Sequence, residues 1–125
     1  MTLIQQVREQ LSVCVDGLPR ALCAFLATYD GHLIDLYARE ELPVTEHLPL
    51  ASSILGLSQS LVAGLEPGAR LDDVIVRSGE RVISMVGVGD ESNVLYVGIV
   101  AERMVNLGQM LVRGKACAEA IKALS

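Results

Sequence analysis

The chain has 125 residues, enough for one domain and too few for two ordinary ones. Of these 51% are hydrophobic, 20% charged and only 3% aromatic, so the sequence lies far from the polar compositions of disordered chains and its core must be aliphatic. A formal net charge of -5, with three tyrosines, one phenylalanine and no tryptophan, supplies neither a footprint for a phosphate backbone nor a platform for stacked bases, which argues against nucleic acid as a partner.

No uninterrupted apolar run reaches the roughly 18 residues of a membrane span, and Met1 to Gln10 is too charged and polar for a signal peptide. The expectation is a cytoplasmic protein with no membrane insertion. In chain order, Thr2 to Asp16 repeats Ile4, Val7, Leu11, Cys14 and Val15 at helical spacing and predicts an amphipathic helix, ended by Gly17 and Pro19. Ala21 to Tyr29 is apolar on both faces, as a buried strand is; Asp30-Gly31 is a hairpin turn signal, and His32 to Ala38 alternates like an edge strand, with Asp35 on one face.

From Thr45 to Leu65 helical spacing returns, with Thr45 as the expected N-cap, Pro49 in the tolerant first turn and Leu50, Ile54, Leu57, Leu61 and Leu65 on one face. Glu66-Pro67-Gly68 stops this helix. Leu71 to Ser78, Arg81 to Val88 and Asn93 to Val100 predict a three-stranded meander, with turns at Gly79 and at the loop Gly89-Asp90-Glu91-Ser92. Asn106 to Leu124 sets Leu107, Met110, Leu111, Gly114, Cys117, Ala118 and Ile121 on a stripe opposite Arg113, Lys115, Glu119 and Lys122, a final amphipathic helix.

These elements predict a single α+β domain over residues 1–125. It is a three-layer α/β/α arrangement whose five-stranded antiparallel sheet, in the order 2-1-5-4-3, carries one helix on one face and two on the other. The strands lack the polar alternation of a sheet with one wet face, so helices cover both sides. The order places the strands holding Asp35 and Asp72-Asp73-Arg77 at the edges. The middle helix then crosses four inter-strand gaps, about 19 Å, which a helix of about 20 residues, roughly 30 Å long, can span.

That helix is anomalous, because no charged residue falls between Glu46 and Glu66. With the leucine stripe assigned to the sheet, Ser52, Gly56, Gln59, Ser60 and Ala63 fall on the outer side, flanked by Ala51, Leu55 and Val62. Small uncharged residues there invite a second helix, the alternative being a bland solvated surface. Its serines, Gln59 and Pro49 argue against a membrane span. Val74-Ile75-Val76 is an open edge unless Asp72, Asp73 and Arg77 protect it. A second copy of the chain would cover both features at once. The expected interface comprises Ser52, Leu55, Gly56, Gln59 and Ala63 of the helix and Val74, Ile75 and Val76 of the strand.

No constellation announces catalysis. Cys14, Cys23 and Cys117 are far apart in sequence and lie on core-facing positions, where a cysteine is a small hydrophobe. His32 and His47 lack metal-ligand spacing. Gly108 to Ala116 superficially resembles a P-loop, but it has one residue too many between its glycines and Ala116 where the motif needs Ser or Thr. Gly87-Val88-Gly89-Asp90 lacks the helix of a dinucleotide fingerprint. Glu40-Glu41, Asp72-Asp73 and Asp90-Glu91 read as solvated charge at turns and edges. No enzyme activity, cofactor or metal is expected.

In this order and spacing, DGLPRALCAFLATYDGHLID after the first helix, the helix LPLASSILGLSQSLVAGL, the meander and VNLGQMLVRGKACAEAIKAL resemble the roadblock (dynein light-chain) domain family over nearly the whole chain. The hairpin Asp30-Gly31 and the Asn106-Leu107-Gly108 opening of the last helix are the most specific parts. The resemblance implies the sheet described above, a homodimer made through the middle helix and third strand, and no active site. Bacterial members of that family are typically scaffolds or regulators paired with small Ras-like GTPases, some of which they stimulate. The missing P-loop fits the partner role. Ser52 and Gln59 are then candidate polar contacts to the GTPase, and Arg39 and Arg70 the arginines at the two ends of the middle helix. Two other readings stand beside it: a small-ligand or lipid-binding signalling domain, which needs an apolar cavity, and a thiol-dependent enzyme, which needs a cysteine of lowered pKa.

Overall fold

Local chemistry sets where the outer helices begin. A computed structural model describes residues 1–89 and 94–124. In it Thr2 caps α1 (Leu3–Asp16) through a reciprocal box, its hydroxyl accepting from the Gln5 backbone while the Gln5 side chain accepts from the Thr2 backbone N–H. Asn106 caps α3 (Leu107–Lys122) by accepting from the Gln109 N–H at 2.9 Å. Between them run β1 (Ala21–Thr28), β2 (Leu33–Ala38), α2 (Val44–Leu65), β3 (Val74–Arg77), β4 (Arg81–Gly87) and β5 (Leu95–Glu102). Every strand pair is antiparallel and the order is β2-β1-β5-β4-β3, as expected.

Three boundaries differ from the expectation. α2 starts at Val44, with Pro43 rather than Thr45 at the N-cap and no side-chain cap; Val44 packs against the core under α2, and this anchors the first turn. β3 is only four residues long, since Leu71 gives its N–H to Gln59 of α2 and not to the ladder. β5 continues to Glu102, while the expected strand start at Asn93 and the Asp90-Glu91-Ser92 part of the loop lie outside the described residues.

β1 and β5 form the centre of the sheet and are buried on both faces. Their closest approach needs a glycine: Phe25 lies across from Gly98, and a Cβ there would come within 2.1 Å of the Phe25 ring. The hairpin between β1 and β2 needs another, with Gly31 at φ 96°. On one face α1 and α3 close a core that includes Val7, Leu11, Val15, Met110 and Ile121; on the other α2 covers Phe25, Met85 and Tyr96.

One expectation is corrected on the α1 side. Ile4 is exposed rather than part of the buried stripe. Asp35 lies on the edge strand β2, as expected, and is buried there because Arg8 of α1 closes over it: Nε donates to Oδ2 at 3.1 Å and the second guanidinium nitrogen to Oδ1. Hydrogen bonding and charge from Asp35 raise the Arg8 pKa further above its ordinary value. The carboxylate also accepts from the Leu36 N–H, so its burial is compensated from two sides.

Candidate functional site

α2 carries two stripes that each recur at helical spacing, and the sheet takes the less leucine-rich one. Leu48, Ser52 and Leu55 are buried beneath the helix, with Ala51, Gln59 and Val62 half-buried alongside. The expected orientation is therefore reversed. Polar chemistry accounts for the choice. Ser52 Oγ donates to the Thr28 carbonyl at 3.1 Å and lies 3.0 Å from the hydroxyl of the fully buried Tyr96, which donates to it. Burial pushes the Tyr96 phenol up, so it keeps its proton for that bond. Phe25 and Tyr29 meet the Tyr96 ring edge-on, at centroid distances of 6.0 and 5.6 Å. Further along, Gln59 Oε1 accepts from the Leu71 N–H at 3.1 Å, tying α2 to the chain entering β3. Turned the other way, the helix would put leucines on these polar groups and leave them unpaired.

The consequence is an apolar ridge on the outside. Leu50 is 64% exposed, Ile54 40%, Leu57 71%, Leu61 63% and Leu65 79%, and no charged side chain interrupts them. The interval 50, 54, 57, 61 alternates four and three, the seam by which one helix packs along another. Completely removing one such leucine from water is worth roughly 1.5–3 kcal/mol.

Of the expected interface residues, Ser52 and Leu55 are spent inside the chain and Gln59 has its carbonyl engaged by Leu71. Ser52 is thereby also removed as a polar contact to a partner. Gly56 and Ala63 flank the ridge, and a Cβ at Gly56 would meet nothing within 4 Å. β3 is an edge strand paired only with β4 among the described residues. Its Val74 packs toward the α2 side, Ile75 toward the α1 and α3 side, and Val76 is exposed. Counting leucines missed the ridge; the pairing of Ser52 and Gln59 with Leu48, Leu55 and Val62 on one stripe was the signal for the true inner face.

The remaining candidates fall into place around this surface. Arg39 donates to the Ala21 carbonyl at 3.3 Å and pairs with Asp16 at 3.5 Å, whereas Arg70 is exposed next to the Gln59–Leu71 contact and makes no ion pair among the described residues. α2 is the one described helix long and apolar enough to cross a bilayer, but here it lies on the sheet, held by Ser52 and Gln59. An open cleft of about 830 Å³ is lined by the charged side chains of Arg70, Asp73, Lys115 and Glu119 and the apolar ones of Leu71, Val86, Leu111 and Val112, a mixed groove open to solvent. No cluster of metal-ligating side chains occurs among the described residues.

No family model and no curated protein matches the sequence. Solved structures do. The chain superposes on an MglB with a tetrameric arrangement at a TM-score of 0.87 and 18% identity, covering 99% of this chain and 90% of that one. The gliding protein MglB of Thermus thermophilus gives 0.86 and 16%, covering 99% and 91%, and a Roadblock/LC7 domain of Streptomyces avermitilis gives 0.78 and 17%, covering 92% and 93%. The chain thus has the roadblock fold. Within that fold its likeness to the MglB kind runs over nearly the full length of both chains.

Proposed function

We propose that the chain is a non-enzymatic homodimer that serves as a scaffold or regulator of a small Ras-like GTPase. The observation that carries this reading is the uncharged, exposed ridge Leu50–Ile54–Leu57–Leu61 beside the edge strand β3, which pairs only with β4 among the described residues. A second copy related by a two-fold axis covers both, because Gln59 and Leu71 join the ridge helix to the entry of β3. The likeness to MglB structures and the family resemblance of the sequence supply the GTPase.

A regulator must distinguish nucleotide states by touching segments that only the γ-phosphate orders, so its affinities for the two states differ. Two α2 helices side by side make a broad surface for one GTPase, using the two copies unequally. Arg70 is the arginine available there, since Arg39 is committed to Asp16 and the Ala21 carbonyl. Titrating the protein with a Ras-like GTPase of the same genome tests the reading. Binding to the GTP-analogue form should be about tenfold or more tighter than to the GDP form; equal binding, or none, removes the regulatory role and leaves a dimer.

A further inference from the structure

On the face of the sheet away from the ridge, α1 and α3 lie antiparallel, with Cys14 of α1 and Cys117 of α3 both buried where the helices meet. Small side chains let the two backbones come close, and there the thiols meet reciprocally. Cys14 Sγ lies 3.7 Å from the Arg113 carbonyl oxygen, and Cys117 Sγ lies 3.7 Å from the Gln10 carbonyl oxygen, each carbonyl four residues before the other cysteine. Each sulfur thus lies against the helical turn that carries the other cysteine, and both thiols are free. Nothing in the proposed partner function uses this pair.

We propose that Cys14 and Cys117 form an oxidation site at which a hydroperoxide converts the facing thiols into an intramolecular disulfide joining α1 to α3. The Cys14 thiolate attacks the peroxide oxygen, breaking the O–O bond and forming a sulfenic acid with loss of hydroxide. The Cys117 sulfur then attacks that sulfenic sulfur, the S–S bond forms, and the leaving hydroxide takes the Cys117 proton as water. Two thiols lose two electrons, and one peroxide becomes two waters or, for an organic hydroperoxide, water and an alcohol. Cys14 is the first nucleophile. Hydrogen bonding from Cys117 holds its thiol below the ordinary value against the effect of burial, and the Arg113 charge adds to this. Cys117 is shifted upward by the same bond and by burial.

Cys23 is the internal control. It lies in the core under α2, 0% exposed, with burial pushing its thiol up to about 11. The disulfide would close a loop of nearly the whole chain, the case in which a cross-link constrains the unfolded state most.

Treating the folded wild-type protein with excess hydrogen peroxide, then denaturing, alkylating free thiols and weighing the chain, tests the site. The expected product has lost two hydrogens, about 2 Da, before alkylation, carries one alkyl group, on Cys23, and yields a linked peptide containing Cys14 and Cys117. Its thermal midpoint should rise by on the order of 10 °C, with the oligomeric state unchanged because the ridge lies on the other face. Three alkylated thiols, a sulfinate on one cysteine, or a link to Cys23 or between chains would overturn the proposal. None of these results bears on GTPase binding, so this inference and the functional reading can fail separately.

Discussion

On one face of the sheet α1 and α3 turn their apolar stripes inward and most of their charges outward, whereas on the other α2 keeps its largest apolar side chains outside. The contrast is one of completeness. The α1 and α3 side satisfies itself: Leu11, Val15, Met110 and Ile121 are buried, and Arg8 closes over Asp35. The α2 side buries Leu48 and Leu55 over the sheet and adds polar bonds from Ser52 to Thr28 and Tyr96 and from Gln59 to Leu71, yet keeps its ridge exposed. The first side reports on stability; on the proposed function, the second reports on association.

Truncation should separate the two sides most strongly. Leu11→Ala, at a fully buried position, should cost about 2–5 kcal/mol in urea unfolding while leaving the oligomeric state of the folded fraction unchanged. Loss of association at unchanged stability would break the comparison.

Alkali probes whether the core beneath α2 is dry despite the open ridge above it. In the folded chain Cys23 keeps its proton up to about pH 11, whereas the same thiol when unfolded titrates near its ordinary value of 9. Between these values the unfolded chain binds fewer protons at this position, so the Cys23 contribution should be flat below about pH 9 and cost up to about 3 kcal/mol as pH rises to about 11, in addition to the loss from Cys117, whose thiol is also shifted upward. Cys23→Ala should remove its own part of that decline, and unchanged curvature in the variant would show that Cys23 is not a source of it.

Ser52→Ala is the sharper test of how α2 is turned. Removing the hydroxyl leaves Tyr96 without its acceptor and should cost about 1–2 kcal/mol in denaturant unfolding. A serine on the solvent side would cost almost nothing. The smallest effect is expected on the closed face, where Ser84 Oγ is buried with no hydrogen-bond partner among the described residues. Ser84→Ala should raise stability by about 1 kcal/mol in the same assay. A loss would reveal a bond that the hydroxyl does make.

Much of the fold was legible because each element carried its own period and punctuation. The Asp30-Gly31 turn, the two-sided burial of Ala21–Ala27 and the stripe of α3 led to the strand order and the layering. The candidate site was half legible. The missing charge between Glu46 and Glu66 marked α2 as a helix with no ordinary solvated face, but composition does not say which face meets the sheet. That was decided by Tyr96 and Thr28, distant in sequence, which supply the partners for Ser52. The burial of Asp35 was hidden for the same reason: its edge-strand position was legible, but the arginine that closes over it is brought in by α1. The approach of Cys14 to Cys117 likewise depends on how two helices cross, which no spacing in the sequence records.

The most direct measurement is sedimentation equilibrium on the wild type beside a Leu57→Asp, Leu61→Asp double variant. The wild type should sediment at twice the mass of the chain at micromolar concentration. The variant, altered only at positions 71% and 63% exposed in the single chain, should remain folded by circular dichroism and sediment as a monomer. A monomeric wild type, or a folded variant that still dimerises, would contradict the assignment of the ridge as the interface.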